Sequence, residues 1–288
     1  APRRDWFVAG TGHTMKTIPR IVGSSSSEGA ELAKSVLEMV CDTVIVADSH
    51  WEAEMIKSVE NAYRHLDITL ANQLTLANPG VNMRQVLDLV GTKWNINKYH
   101  PNLGVGGYCI APASKYVLGG VEYPEIVTVL QDAVVFTSDM SKTYADIFES
   151  HDKVLVMGLA YKGGLKVDIL SPGRELSIEL LSRGKKVCLD DPMYTNREMI
   201  EIVGNKVTPV DFRKNLDNQN LIVITSDHPE YRIPYVELKD KITPGTVILD
   251  VYGVWQRHKE KLADEGVIHI LLGEKDWIKS VRRRNASR

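Results

Sequence analysis

Lys153-Val154-Leu155-Val156-Met157-Gly158-Leu159-Ala160-Tyr161-Lys162-Gly163 is the stretch that decides how the chain folds. Four consecutive apolar residues without polar alternation predict a strand buried on both faces. Gly158 turns it, and a helical pattern follows over Gly173–Ser182. A second strand, Lys186-Val187-Cys188-Leu189, closes on Asp190-Asp191-Pro192. Further strands are expected at Asn220–Thr225, Thr246–Asp250 and Ile268–Leu271, with helical or loop segments between them. Such alternation predicts a Rossmann-like parallel sheet with helices on both faces, occupying residues 151–288.

Upstream the period changes. Ser49 and Glu52 have the spacing of a capping box. Met55, Val59, Tyr63, Leu66, Leu70, Leu74 and Ala77 then recur at steps of three and four until Asn78-Pro79-Gly80 stops the pattern. One long helix is predicted, then a shorter one over Met83–Val90 and further helix within Tyr123–Phe148. Residues 49–150 therefore read as a helical central region. Before it, Arg20-Ile21-Val22 and Thr43-Val44-Ile45-Val46-Ala47 read as strands. A helix from about Glu28 to Val40 lies between them, entered through Gly23-Ser24-Ser25-Ser26-Ser27. Residues 1–48 are expected to be the tail of an α/β domain that starts earlier than Ala1.

Composition narrows the function classes. Of 288 residues 43% are hydrophobic and 25% charged, the ordinary range of a water-soluble protein. A formal net charge of -2 gives no support to a nucleic-acid or anionic-membrane partner. Arg282, Arg283, Arg284 and Arg288 read as a solvated tail rather than a phosphate patch. No run approaches the roughly 20 apolar residues needed to span a bilayer, and no charged leader with an apolar run opens the sequence. Cys41, Cys109 and Cys188 are odd in number and widely spaced, and no two His stand at ligand spacing, so neither a disulfide framework nor a metal site is expected. A cytoplasmic setting is the expectation.

Three stretches carry candidate chemistry. In Gly104-Val105-Gly106-Gly107-Tyr108-Cys109-Ile110, three glycines let backbone approach a ligand, and a Cys beside them can act as a nucleophile; a Gly-rich turn with a small buried Cys is the equal alternative. Lys57 and Asn61 share one helix face, opposite the apolar stripe. They are either a solvent-facing polar side or an ammonium and a carboxamide lining a cleft, aimed at an oxygen that gains negative charge. Gly158–Gly163 offers backbone N–H groups and Lys162 to a phosphate near a helix start, or is a plain βα turn. Ala9-Gly10-Thr11-Gly12-His13 is a decoy: it lacks the third glycine of a dinucleotide fingerprint, and Ile18-Pro19 interrupts any following helix.

Taken in order, these pieces resemble the UDP-glucose/GDP-mannose dehydrogenase family over nearly the whole chain. Pro19-Arg20-Ile21-Val22-Gly23 is similar to P-R-I-V-G-G, and Ala53–Arg64 to A-E-x-x-K-x-x-E-N-x-Y-R. Gly104–Ile110 is similar to G-x-G-G-H-C-I/L. Gly158–Lys162 with Ser171-Pro172 resembles G-L-A-[FY]-K with a later S-P. The resemblance implies NAD-dependent oxidation of the C6 alcohol of a UDP-sugar to a carboxylate. Cys109 would hold the aldehyde as a hemithioacetal and then a thioester, and Lys57 and Asn61 would stabilise oxyanion character at C6. It further implies substrate contacts from Tyr63, Tyr99, Asn102, Gly106, Gly107, Ser114, Tyr161 and Lys162, and a homodimer built on the long helix. The cofactor is expected on a front domain of roughly 100–150 residues. Only its tail is expected here, so this chain alone should not turn over.

Departures from the family pattern are specific. An Asp expected four residues after the Cys is Ala113, and an insertion of one residue would bring Ser114 there instead. Ile169 replaces the Arg of D-D-x-R-x-S-P, and Tyr252 that of D-x-R-N-x-[WF], so two bidentate cations are lost. Two alternatives remain at this level: a non-catalytic UDP-sugar-binding or dimerisation module, and a β-hydroxyacid dehydrogenase relative. The latter also places Lys and Asn four apart on a long helix but has no need of Cys109.

Overall fold

In the computed structural model, residues 12–282 are described. The decoy residues Ala9, Gly10 and Thr11, and Arg283, Arg284 and Arg288 of the basic tail, lie outside them. The described residues pack as two compact units: 12–64 with 112–131, and 65–111 with 132–282.

The first unit holds a two-stranded parallel sheet, β1 (Arg20–Val22) and β2 (Val44–Val46), joined by α1 (Ser27–Glu38). Ser26 caps α1, its side chain accepting from Gly29 N at 3.1 Å. The predicted capping box is present as α2 (His50–Ala77) opens: Ser49 N donates to Glu52 Oε2 and Glu52 N to Ser49 Oγ, each at 3.2 Å. The helix α2 runs through both units. So do α4 (Ile110–Gly120) and α5 (Thr128–Ile147), whereas α3 (Met83–Val90) belongs to the second. The helix α4, which the sequence patterns do not predict, holds Pro112 in its first turn and ends on Gly119 and Gly120.

In the second unit β3 (Lys153–Met157), β4 (Lys186–Asp190), β5 (Thr208–Pro209), β6 (Leu221–Ile224), β7 (Val247–Asp250) and β8 (Ile268–Leu271) form one parallel sheet. Its order is β5-β4-β3-β6-β7-β8. Counted from β3 this is the doubly wound order 3-2-1-4-5-6, whose switch point lies between β3 and β6. Both faces are covered. Val154, Val156 and Val187 pack with Leu176 and Leu180 of α6 (Pro172–Ser182) on one side. Leu155, Ile222 and Ile248 pack with Phe212, Tyr231 and Trp255 on the other. Among the described residues no helix is long and apolar enough to cross a membrane.

Candidate functional site

The first unit presents a cleft of about 440 Å³ lined by His13, Thr17, Pro19, Lys57, Glu60, Asn61 and Arg64. The solvent-facing reading of the Lys57/Asn61 face does not hold: Asn61 is only 4% exposed. Burial on α2 is reversed against the apolar pattern. Asn61, His65, Thr69, Asn72 and Thr75, at steps of four, four, three and three, are buried, while Met55, Tyr63 and Leu70 are 44%, 69% and 55% exposed. The buried polar side is largely paired: His65 Nε2 to Thr137 Oγ1 at 2.8 Å, Asn102 N to Asn72 Oδ1 at 2.7 Å, and Thr75 Oγ1 to Ala71 O at 2.8 Å. Lys57 Nζ stands 3.9 Å from Glu60 Oε2. An ammonium beside a carboxamide in a partly dehydrated cleft can hold an anionic oxygen. The sequence reading missed Glu60 and Arg64, although each lies three residues beyond a named neighbour on the same helix face. Tyr63 does not join this group, because it points out on the apolar stripe. Ser114, fully buried in α4, offers no surface to a ligand.

In the second unit the glycine loop ends at Cys109, which is exposed and immediately precedes α4. The first N–H groups of a helix have no partner within it, and the positive end of its dipole favours negative charge. The other two thiols differ. Cys41 is buried and donates to Met15 O at 3.3 Å, and burial pushes the half-buried Cys188 thiol up. The glycines themselves serve a purpose the sequence did not reveal. A Cβ on Gly106 would lie 2.6 Å from Tyr161 Cβ; on Gly107, whose φ is +88°, it would lie 3.1 Å from the Tyr161 ring. Gly107 N also donates to Ile169 O at 2.9 Å. The room these glycines leave is taken by Tyr161, not held open for a ligand.

The turn after β3 needs a similar correction. Its N–H groups, expected to cradle a phosphate, already have acceptors. Leu159 N and Ala160 N donate to Asp191 Oδ2 at 2.7 and 2.8 Å, Tyr161 N to Val167 O at 3.0 Å, and Gly163 N to Asp227 Oδ1 at 2.9 Å. Gly164 N donates to His228 Nδ1 at 3.2 Å, which makes His228 Nε2 the protonated nitrogen that donates to Asp191 at 3.1 Å. Asp250 repeats the device at the end of β7, accepting from Val254 N, Trp255 N and His269 Nε2 at 3.0, 2.8 and 3.1 Å. A phosphate contact from this turn would therefore come from the exposed Lys162 side chain.

Asn102 and Tyr252 meet at the C-terminal ends of the strands. Asn102 Nδ2 donates to Tyr252 Oη at 2.8 Å, and Tyr144 Oη donates to Asn102 O at 3.2 Å. Burial pushes the Tyr252 phenol up to about 12; the Asn102 bond and Arg84 pull against it, while Asp227 and Tyr161 add to it. Arg84, on α3, donates to Leu272 O at 3.2 Å. Tyr252 and Arg84 were absent from the predicted site. The first occupies a position where the resemblance leads one to expect Arg, and the second stands outside every quoted motif. Tyr99 is half-buried and takes no part in these hydrogen bonds.

A doubly wound sheet takes a dinucleotide pyrophosphate on its first βα turn. Here that turn is saturated by Asp191, and a Cβ on Gly163 would already lie 2.5 Å from Asp227–His228 backbone. These residues do not fit the NAD cofactor.

A doubly wound sheet with polar side chains gathered beyond its strand ends is the build of a nucleotide-binding α/β protein. The chain belongs to the UDP-glucose/GDP-mannose dehydrogenase family, matching its central domain over residues 51–135 and its UDP binding domain over residues 155–257. It is 28% identical over 243 residues to the UDP-N-acetyl-D-mannosamine dehydrogenase of Pyrococcus horikoshii, covering 80% of this chain and 55% of that protein. It is 32% identical over 203 residues to the UDP-N-acetyl-D-glucosamine 6-dehydrogenase of Pseudomonas aeruginosa, covering 63% and 48%. The structure of the UDP-N-acetyl-mannosamine dehydrogenase of Staphylococcus aureus superposes with a TM-score of 0.70 at 26% identity, over 92% of this chain and 61% of that one. The chain thus spans about half the length of the curated relatives it matches. Membership sets the β-hydroxyacid dehydrogenase alternative aside.

Proposed function

We propose that this chain supplies the covalent and oxyanion-binding residues of a nucleotide-sugar 6-dehydrogenase acting on a UDP-sugar. The relatives' names favour a UDP-N-acetylhexosamine. The Cys109 sulfur adds to the C6 aldehyde carbon. A C–S bond forms, and the carbonyl π pair moves onto oxygen. In the cleft of the first unit, Lys57 and Asn61 offer an ammonium and an amide N–H to an oxygen that gains negative charge. The hemithioacetal so formed would become a thioester by losing its C6 hydride to the acceptor and its hydroxyl proton to solvent; when that thioester is hydrolysed, water adds to the acyl carbon, the C–S bond breaks and sulfur leaves as thiolate. Neither Ala113 nor Ser114 activates that water, since both are buried. NAD is the hydride acceptor that family membership implies, and no described residue is assigned to it. Tyr161, Lys162, Asn102 and Tyr99 contact the nucleotide sugar in this reading, Gly106 and Gly107 make room for the Tyr161 side chain, and residues 1–48, 49–150 and 151–288 serve as the cofactor-domain tail, the central domain and the UDP-sugar domain. The exposed Met55/Tyr63/Leu70 stripe supports a homodimer through α2.

The observation that carries the proposal is the exposure of Cys109 at the end of its loop, set against buried Cys41 and half-buried Cys188. Iodoacetamide with peptide mapping tests it. Cys109 should alkylate much faster than the other two, and UDP-N-acetylglucosamine or UDP-N-acetylmannosamine should slow that reaction. Equal rates, or no protection by either sugar, would refute the assignment. The replacement of Arg by Tyr252 favours one rival, a non-catalytic UDP-sugar-binding module. That rival predicts sugar binding without faster alkylation of Cys109.

A further inference from the structure

The end of the second unit's sheet remote from Asp190 and Asp250 carries a feature that the reaction leaves unused. A cavity of about 410 Å³ opens at the N-terminal ends of β3 and β4, lined by Lys153, Lys185, Lys186, Lys206, Asn218 and Gln219 among others. Lys185 is engaged, its Nζ 2.7 Å from Glu149 O and 3.2 Å from Asp152 Oδ1. Among the described residues Lys153, Lys186 and Lys206 form no ion pair. The other neighbouring acid, Asp217, accepts from Asn218 Nδ2 at 2.9 Å.

Lys153 and Lys186 are register partners in adjacent parallel strands, so two like charges stand side by side on one face. Lys153 and Lys186 alternate onto the Leu155/Cys188 face, opposite the Val154/Val187 face that packs on α6, while Leu181 and Gly184 at the end of α6 also line the cavity. Three exposed lysines around one cavity complement a compact polyanion. A cavity of this size admits more than one phosphate group.

We propose that this lysine-ringed cavity binds a small diphosphate-bearing anion, at a site separate from the one that takes the nucleotide sugar. Binding relieves the Lys153–Lys186 repulsion and is screened by salt. The test is calorimetric titration of the whole chain with inorganic pyrophosphate and, separately, with ADP in low-salt buffer. The same titrations are run on Lys153→Gln/Lys186→Gln/Lys206→Gln. Pyrophosphate affinity should fall at least tenfold in the triple variant. Lys186→Gln alone should raise Tm in the absence of anion, which lysines serving only the fold would not do. Tighter binding of ADP than of pyrophosphate identifies a nucleotide as the ligand; equal binding identifies the diphosphate moiety alone. Equal affinity of wild type and triple variant, or no binding to wild type, overturns the proposal. Protection of Cys109 by UDP-sugar is read independently, so the two assignments fail separately.

Discussion

The long helix α2 and the sheet of the second unit answer the same pressure in opposite ways. In the sheet, Val154, Val156, Leu221, Val223, Val247 and Leu249 are fully buried, and the apolar run read from the sequence is the core itself. On α2, Met55, Tyr63 and Leu70 stay exposed while Asn61, His65, Asn72 and Thr75 are buried. Apolar period locates a stripe; it does not say whether the same chain covers it. A parallel strand is covered on both faces by the crossover segments that join it to its neighbours, whereas one stripe of a helix can be left for a second molecule.

Truncation breaks or sharpens this contrast most directly. Leu249→Ala should cost about 2–5 kcal/mol in urea unfolding, the usual range for a buried Leu. Leu70→Ala should cost under about 0.5 kcal/mol in dilute solution, as surface substitutions do. Leu70→Glu should shift sedimentation toward monomer if α2 is the self-association face. Equal costs at the two leucines would erase the distinction.

A smaller effect separates two aspartates within the sheet. Burial pushes Asp190 up to about 6, against the Phe212 N–H and the Tyr231 hydroxyl. Asp250 is also penalised by burial, but the His269 bond and charge and two backbone N–H groups bring it below the usual carboxylate range. The folded chain therefore holds the Asp190 proton more tightly than the unfolded chain, and this contribution falls as pH rises from about 4 to about 6. Asp250 has the reverse sign, contributing stability at neutral pH that is lost in acid. Asp190→Asn should gain up to about 3 kcal/mol over wild type at pH 8, at about 1.4 kcal/mol per pKa unit, and converge with it near pH 4. A pH series of denaturant midpoints reads this. No convergence would mean that Asp190 is already ionised at low cost.

The smallest effect is at the start of α2. Ser49→Ala removes the acceptor for Glu52 N and should cost about 1 kcal/mol. Circular dichroism with thermal unfolding would detect it. A null result would place the stability of that helix start wholly in packing.

Much of this molecule is legible in its residues. The strands Arg20–Val22 and Ile268–Leu271, the helix Met83–Val90 and the capping box at Ser49 follow from short-range periodicity and hydrogen-bonding chemistry. So does the family, because its motifs are local strings in fixed order. The fate of each polar group was not legible. Nothing in Gly158–Gly163 tells that Asp191 and Asp227 fill its N–H groups, and nothing in Gly106-Gly107 tells that Tyr161 lies against them. Those partners sit far away in sequence, and a donor or acceptor finds its mate only once the sheet has brought the strand ends together. Sequence alone determined the long helix and the main strands, though not α4 or the short β5; tertiary structure decided which faces are covered and which donors are already taken, because burial and hydrogen-bond pairing are properties of neighbours in space.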